Sequence, residues 1–256
     1  MNNFGSKTLW SEYTLGVCYY PEHWDESLWS NDLDRMLAAG IRVVRIAEFA
    51  WTIVEPEEGC FTFQFFDRFL DLCQKKGLKV IFGTPTATPP AWLTTKYPEV
   101  LNCDRNGLPY QHGGRRHCNY NSPLYRNKVT RIVTALGEHY GQHPAICGWQ
   151  IDNEMNCETD EFYSAADTEA FRLFLRETYH DLASLNQAWG TVFWNQTYTA
   201  WEQICLPAHV LNGNWNPHQR LDYLRFISAS TRSFCKLQAD ILRKYKKEND
   251  FITTNG

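Results

Sequence analysis

Short apolar segments alternate with amphipathic segments along this chain, and the alternation predicts a parallel α/β fold. Two repeats have the same form: a helical apolar stripe, a glycine, and an apolar strand that contains basic residues. In the first repeat the glycine is Gly40 and the strand is 41–46. In the second the glycine is Gly77 and the strand is 78–82. Glycine suits these positions because the residue that ends a helix is commonly left-handed. Strands that alternate with helices in this way predict βα units of a parallel sheet.

The same pattern along the whole chain predicts five strands, with a helix after each of the first four. The strands are expected at 15–20, 41–46, 78–82 and 145–151, with a fifth beginning near 251. The predicted helical stripes include Leu28 in the first helix and Leu221 and Leu224 in the last. A closed (β/α)8 TIM barrel needs eight such units. The fold class is therefore predicted to be an α/β TIM barrel that is incomplete in this chain.

Two long segments interrupt the alternation of strands and helices. The first, 84–122, is rich in proline, glycine and arginine, and Ser122 with Pro123 is expected to begin the helix that follows it. The second, 155–215, contains two short helical patterns and several tryptophans. Long segments of this kind in a compact domain are usually functional or mobile.

Composition and charge exclude some classes of function. A net charge of −4 offers no basic field for nucleic acid or acidic membranes, and no apolar run approaches the length of a membrane span. The first residues are too polar for a signal peptide, and the nine scattered cysteines indicate a reducing compartment, so we expect a cytoplasmic protein. The ten tryptophans and thirteen tyrosines are a hint of sugar binding, although large aromatic residues mostly fill cores.

Polar residues gather where the predicted strands end. The carboxyl ends of parallel strands share one edge of the sheet, which is where chemistry is found in α/β enzymes. The polar groups at the first four strand ends are Glu22 and His23, then Glu48, then the loop 84–88, then Asn153 and Glu154.

The carboxyl groups at this edge suggest glycoside hydrolysis, which usually takes two of them, about 5–5.5 Å apart in a retaining enzyme. Glu154 is a strong candidate for one. Glu48 is the only visible candidate for the other, although a structural or substrate-binding role is the better interpretation of it. Arg45, at the end of the second strand, fits a core arginine paired with a carboxylate as well as it fits a substrate contact.

Several long motifs, in the same order, resemble those of glycoside hydrolase family 42, the β-galactosidases built on a TIM barrel. They cover almost the whole chain: LGVCYYPEHW at 15–24, EFAW at 48–51 with EP at 55–56, GTPTATPP at 83–90, RRH at 115–117, DNE at 152–154, and AWG at 188–190 with FW at 193–194. The resemblance implies that residues 1–256 are the N-terminal portion of a catalytic TIM-barrel domain.

The resemblance also implies roles for single residues. Glu154 matches the general acid/base on the fourth strand, and Asn153 matches the asparagine that holds the sugar hydroxyl next to the reacting carbon. Arg45 and Arg115 match arginines that bind galactose hydroxyls, and Trp194 matches an aromatic residue that lines the site. The family's nucleophilic glutamate lies on the seventh strand, so it is expected beyond the end of this chain.

The chain departs from the family pattern at a metal site. Many family members bind a structural zinc through four cysteines. Here Asn119 stands at the first of those positions, and no cysteine occurs between Cys157 and Cys205. Because a closed structural zinc site needs four ligands, we predict no metal and no cofactor.

The leading interpretation is a β-galactosidase that hydrolyses β-galactosides, including galacto-oligosaccharides, with no nucleic-acid or membrane partner. The full-length form would then be a homotrimer, as family members commonly are. One alternative is another retaining glycosidase of the same clan, such as a β-arabinosidase or β-fucosidase. Another is a non-catalytic sugar-binding remnant.

Overall fold

The computed structural model describes residues 13–213 and 215–255, with five parallel strands in sequential order. The strands are β1 (Leu15–Cys18), β2 (Ile41–Ile46), β3 (Lys79–Gly83), β4 (Ile146–Gln150) and β5 (Phe251–Thr253). Each strand pairs with the next one along the chain, in the order β1-β2-β3-β4-β5. This order is the one that consecutive βα units of a barrel produce.

Helices occupy the connections between the strands. They are α1 (Glu26–Ala38), α2 (Trp51–Val54), α3 (Gln64–Lys76), α4 (Ala91–Lys96), α5 (Pro123–Tyr140), α6 (Ala165–Tyr179), α7 (Leu182–Trp189) and α8 (Pro217–Tyr245). Short 3-10 turns, at Pro21–His23 and Pro85–Ala87 among other places, follow directly after strand ends. Each of the first four strands is thus followed by at least one helix, as the sequence pattern predicted.

The chain forms two compact units. The first unit comprises residues up to 87, 132–154 and from 239 onward, and it contains all five strands. The second unit comprises 88–131 and 155–238, and it contains most of the two long segments that interrupt the βα alternation. Helices α5 and α8 contribute residues to both units.

The core of the first unit follows the predicted apolar stripes. In α3 the four stripe residues, Phe66, Phe69, Leu70 and Cys73, are all buried. Gly77 ends this helix with φ of 77°, a left-handed conformation that glycine adopts without the steric cost of a Cβ. The inner strands β2, β3 and β4 are largely buried, whereas all four residues of β1 are exposed.

The structure corrects three of the predicted apolar positions. Leu28 is 44% exposed on α1, where Trp29 and Leu33 supply the buried face instead. Leu221 and Leu224 are similarly exposed at the start of α8. In each case the buried face of the helix is rotated away from the predicted stripe, because the residues next to these leucines along the chain are buried instead.

The long segments contain more regular structure than the sequence pattern predicted. The segment 155–215 includes α6, which is fifteen residues long and begins with a capping box between Ser164 and Asp167. The predicted start of α5 is confirmed, because the backbone N–H of Tyr125 donates to the Ser122 hydroxyl at 3.3 Å. No helix in the described part of the chain is long and apolar enough to cross a membrane.

Candidate active site

The first unit brings five strand ends to one edge of its sheet. Because the strands are all parallel, the residues that follow β1 to β5 lie at the same edge. Gly83 allows close approach there: a Cβ at this position would lie 2.7 Å from the Cβ of Glu48. The polar groups of this edge are therefore held by the packing of neighbouring strands.

The acid/base candidate lies in the segment after β4, whose backbone is unusual. Asp152 and Glu154 both have positive φ, 56° and 45°. Conformations of this kind are uncommon for residues other than glycine and persist where surrounding contacts hold them. Asn153 lies between them and is buried, while Glu154 is partly exposed.

Hydrogen bonds from the end of β3 hold Asp152 in place. Its backbone N–H donates to the Thr84 hydroxyl at 2.8 Å, and its carboxylate accepts from the Thr86 hydroxyl at 2.6 Å. The same carboxylate accepts from the backbone N–H of Asn153 at 2.7 Å. Asp152 is fully buried, so its role at this edge is to anchor the segment.

Asn255, just after β5, contacts the same segment from the other side. Its Nδ2 donates to Oδ1 of Asn153 at 3.0 Å. Its Oδ1 accepts from the backbone N–H of Glu154 at 2.9 Å and from Nε2 of Gln150 at 3.3 Å. The segment 152–154 is therefore held by residues that follow β3 on one side and by Asn255 on the other.

A second polar cluster joins the ends of β1, β2 and β4. Arg45 forms an ion pair with Glu48 at 2.9 Å and donates to Oε1 of Gln150 at 2.8 Å. The Tyr20 hydroxyl donates to Glu48 at 3.0 Å. Burial and the charge of Glu48 raise the pKa of Tyr20 to about 12, so this phenol stays protonated. The pairing of Arg45 with a carboxylate, one of the two interpretations of this residue, is what the structure shows.

Glu22 is a further carboxyl group at this edge, in the turn after β1. Neither of its carboxylate oxygens has a hydrogen-bond partner among the described residues, and both oxygens are buried. Burial, together with the charge of Glu48, raises the pKa of Glu22. The neighbouring His23 is exposed.

Arg115, a predicted sugar-binding residue, belongs to the second unit. It forms an ion pair with Glu158 there. Arg116, the next residue, is almost fully buried and donates to the Tyr120 hydroxyl at 2.9 Å. The Arg-Arg pair thus divides into one partly exposed guanidinium and one that is part of the core.

Trp194, the predicted aromatic residue of the site, also belongs to the second unit. The residue is 68% exposed, and its ring stacks on Phe193 with 4.6 Å between the ring centroids. Its backbone is left-handed, with φ of 55°. Together with Trp189 and Trp215 it lines an open cleft of about 440 Å³.

Asn119, which stands where the family has its first zinc-binding cysteine, is part of a hydrogen-bonded network. Asn119 donates to Ser164 and to the buried carboxylate of Asp167, which also accepts from Asn121 at 2.7 Å. Among residues 13–213 and 215–255, no group of three or more histidine, cysteine or acidic side chains is arranged to hold a metal ion.

The pattern of the sequence identified most of the residues at the sheet edge but missed two of their partners. Tyr20 follows β1 and Asn255 follows β5 in the structure, whereas the sequence pattern places both inside predicted strands, the first and the fifth. The strand-end rule that singled out Glu48 and Glu154 identifies both residues once it is applied to the observed strand ends.

The chain matches the model of glycoside hydrolase family 42, which is described as beta-galactosidase, over residues 18–256. The chain belongs to glycoside hydrolase family 42. This confirms the family that the motifs indicated.

Several known proteins are similar to this chain over almost its whole length. A beta-galactosidase BgaA from Thermus sp. is 47% identical over 94% of this chain and 37% of that protein. The crystal structure of a beta-galactosidase from the psychrophilic Marinomonas ef1 is 44% identical, with a TM-score of 0.91 over 94% of this chain and 37% of its own. A beta-galactosidase from Halorubrum lacusprofundi gives the same TM-score at 40% identity over 95% of this chain and 36% of its own. This chain therefore spans a little over a third of these relatives, and the expected fold, an incomplete TIM barrel, is confirmed.

Proposed function

We propose that this chain supplies the acid/base side of the active site of a retaining β-galactosidase. The observation that carries the proposal is the position of Asn153 and Glu154 at the carboxyl end of β4, fixed between β3 and Asn255. Arg45 reaches the same edge of the sheet. Membership of a family whose model is described as beta-galactosidase supports this choice of substrate class.

In this mechanism Glu154 acts twice. As an acid it gives its proton to the glycosidic oxygen as the bond to the sugar breaks, and as a base it then takes a proton from the water that attacks the glycosyl-enzyme intermediate. Partial exposure of Glu154 suits both steps, because the aglycone and the water must each reach it.

The other predicted site residues are proposed to bind the galactose ring. Asn153 has an Nδ2 group that can donate to the hydroxyl next to the reacting carbon. Arg45 and Arg115 are proposed to bind other hydroxyls, and Trp194 to offer an apolar face to the sugar. The exposed ring of Trp194 and the partly exposed guanidinium of Arg115 support these roles, since both can be reached by a ligand.

The nucleophilic carboxylate is proposed to come from outside these 256 residues. Glu48 is a poor candidate because it is fully buried and already accepts from Arg45 and Tyr20. A nucleophile must instead face the sugar at the distance that retaining glycosidases require, about 5–5.5 Å from the acid/base. This chain covers only 37% of the Thermus and Marinomonas relatives, and the nucleophile is proposed to lie in the part of such a polypeptide that these 256 residues do not include.

Glu154→Gln in the complete polypeptide that carries this sequence tests the proposal. Glutamine cannot protonate the departing oxygen, so turnover of lactose should fall by roughly 10²–10⁴-fold. Aryl galactosides with good leaving groups need no protonation and should still form the glycosyl-enzyme. Added azide, which needs no general base, should restore the second step.

Glu57→Gln is the matched control, since Glu57 is an exposed glutamate of the same unit. It should leave lactose turnover unchanged. Wild-type lactose hydrolysis by Glu154→Gln would show that the acid/base lies elsewhere. A panel of nitrophenyl sugars separates the enzymatic alternatives. Faster hydrolysis of the arabinoside or fucoside than of the galactoside would show that the enzyme is a β-arabinosidase or β-fucosidase instead of a β-galactosidase.

We also propose a cytoplasmic location and a homotrimeric full-length form. Nine cysteines without any disulfide among the described residues suit a reducing compartment. Exposed apolar side chains on the second unit, including Val192 and Leu211, offer surface that an oligomer could cover.

A further inference from the structure

Asn255 forms hydrogen bonds with both Asn153 and Glu154, the proposed sugar-binding residue and the proposed acid/base. Its amino group holds the side-chain oxygen of Asn153, and its carbonyl oxygen holds the backbone of Glu154. Asn255 reaches them from the end of β5, the strand that pairs with β4. One side chain therefore constrains the proposed sugar-binding amide and the proposed acid/base at the same time.

The contact with Asn153 decides which end of that amide is available to a ligand. Oδ1 of Asn153 accepts from Asn255, so rotating the amide by half a turn would place two N–H groups against each other. The Nδ2 group of Asn153 donates to no acceptor among the described residues. Asn255 therefore leaves Asn153 oriented as a hydrogen-bond donor toward a ligand oxygen.

The contact with Glu154 holds a strained backbone. Glu154 has φ of 45°, and its N–H donates to Oδ1 of Asn255. Asp152, two residues earlier, is similarly left-handed and is held by Thr84 and Thr86. Without Asn255 the Asp152 side of the segment would keep its anchors, and the backbone N–H of Glu154 would lose the acceptor that helps to hold this conformation.

We propose that Asn255 is a positioning residue for both Asn153 and Glu154, a role that rests on the proposed glycosidase function. It orients the Asn153 amide to donate to the 2-hydroxyl of the sugar. It also fixes the backbone from which the Glu154 carboxyl reaches the glycosidic oxygen. Misplacing groups of this kind by about 1 Å can cost roughly 100-fold in rate.

The first experiment pairs a variant with a substrate that lacks the 2-hydroxyl. Wild-type polypeptide and Asn255→Ala are compared on an aryl β-galactoside and on its 2-deoxy analogue. In the wild type, removing the 2-hydroxyl should lower kcat/KM strongly, because that hydroxyl contributes to transition-state binding. In Asn255→Ala the decrease in kcat/KM on removing the 2-hydroxyl should be about tenfold smaller, because the Asn153 amide that binds this hydroxyl is no longer oriented.

The second experiment tests the Glu154 contact through the leaving group. Asn255→Ala should slow galactosides with poor leaving groups more than those with good ones, because only the former need proton donation from Glu154. Asn255→Asp separates the two contacts: it keeps an acceptor for the Glu154 N–H but loses the donor to Asn153. It should therefore reduce the 2-hydroxyl effect while keeping a leaving-group dependence close to that of the wild type. Each variant is measured at its own pH optimum, because a new carboxylate favours protonation of nearby acids.

Thr254→Val is the matched control, because Thr254 is the neighbouring residue and donates to the carbonyl of Ile151 at 2.9 Å. It should lower thermal stability without changing either substrate dependence. Asn255→Asp, which keeps the size and the acceptor, remains informative if Asn255→Ala does not fold.

The wild type could be active while both Asn255 substitutions leave the dependence on the 2-hydroxyl and on the leaving group unchanged. That result would overturn the role of Asn255 but not the proposed function. A complete polypeptide without galactosidase activity would overturn the proposed function, and the inference with it. The same loss on every substrate, with no change in either dependence, would show that Asn255 is only structural.

Discussion

Glu48 and Glu22 are two glutamates at the same edge of the sheet with opposite surroundings. Glu48 is completely buried but accepts from Arg45 and from Tyr20. The side chain of Glu22 has buried oxygens that receive no hydrogen bond from the described residues. A buried carboxylate without donors favours its neutral form, which is why burial raises the pKa of Glu22.

Replacement of Glu22 by glutamine is expected to stabilise the protein at neutral pH. A carboxyl group whose pKa is raised in the folded state contributes stability fully only below its unfolded pKa, about 4.3. That contribution is lost as the pH rises through the folded pKa. Glutamine resembles the neutral acid at every pH, so the free energy of unfolding of Glu22→Gln should exceed that of the wild type at about pH 7.5.

Urea unfolding at two pH values checks this expectation. The advantage of Glu22→Gln should shrink on going from about pH 7.5 to about pH 4.5, where the wild-type carboxyl takes up its proton. Glu57→Gln, at an exposed position, should show no comparable pH-dependent gain. A variant less stable than the wild type at neutral pH would mean that Glu22 is ionised and stabilised there.

At the scale of helices and strands, the sequence pattern predicted which elements exist and in what order. It predicted less well which face of each helix is buried. Strand β2 has the predicted bounds, and the buried stripe of α3 is the predicted one, because both are strongly patterned and lie inside the first unit. Periodicity shows which residues share a face but not which face of a helix the rest of the protein covers. The covered face of α8 carries Asp222 and Tyr223, so Leu221 and Leu224 are exposed.

The close approach of β2 and β3 at Gly83 is a feature of elements that periodicity cannot show. A Cβ at Gly83 would meet the Cβ of Glu48 at 2.7 Å and its backbone at 2.9 Å. Gly83→Ala must therefore move one strand against the other, at a cost of about 1–3 kcal/mol in the free energy of unfolding. Because Glu48 holds Arg45, galactosidase activity should fall as well.

Chemical denaturation of Gly83→Ala beside Gly114→Ala measures this effect. Gly114 has open space where a Cβ would lie and no left-handed backbone, so its replacement should change stability little. Equal stability of the two variants would mean that β2 and β3 separate without strain at this point.

At the scale of the whole molecule, the order of the strands predicts which residues lie at the functional edge of the sheet. It does not predict the hydrogen bonds that these residues form with one another. The strand-end rule identified Glu48, Asn153 and Glu154 from local pattern alone. The hydrogen bond between Asn255 and Asn153 joins residues 102 positions apart, and it depends on the register of β4 and β5. The positive φ of Glu154 likewise follows from contacts on both sides of the segment and has no local sequence pattern.

The last prediction concerns the 256-residue polypeptide expressed by itself, which is expected to be inactive and to fold poorly. A retaining mechanism needs a nucleophile to form the glycosyl-enzyme, and acid catalysis alone contributes only about 10²–10⁴-fold. The outer edges of β1 and β5 pair with no other strand of the described residues, and Leu15 and Val17 are exposed on β1. Unpaired strand edges of this kind promote aggregation.

Aryl-galactoside hydrolysis and size-exclusion chromatography test both parts of that prediction. The comparison is a chimera in which these residues replace the matching part of the Thermus relative, which is 47% identical to them. The chimera should be soluble and active, because the rest of the Thermus relative is proposed to complete the barrel and to supply the nucleophile. If the 256-residue polypeptide were a monomer with turnover near that of the chimera, its nucleophile would have to lie within the chain. Glu48 would then take that role, and its ion pair with Arg45 would have to open when the sugar binds.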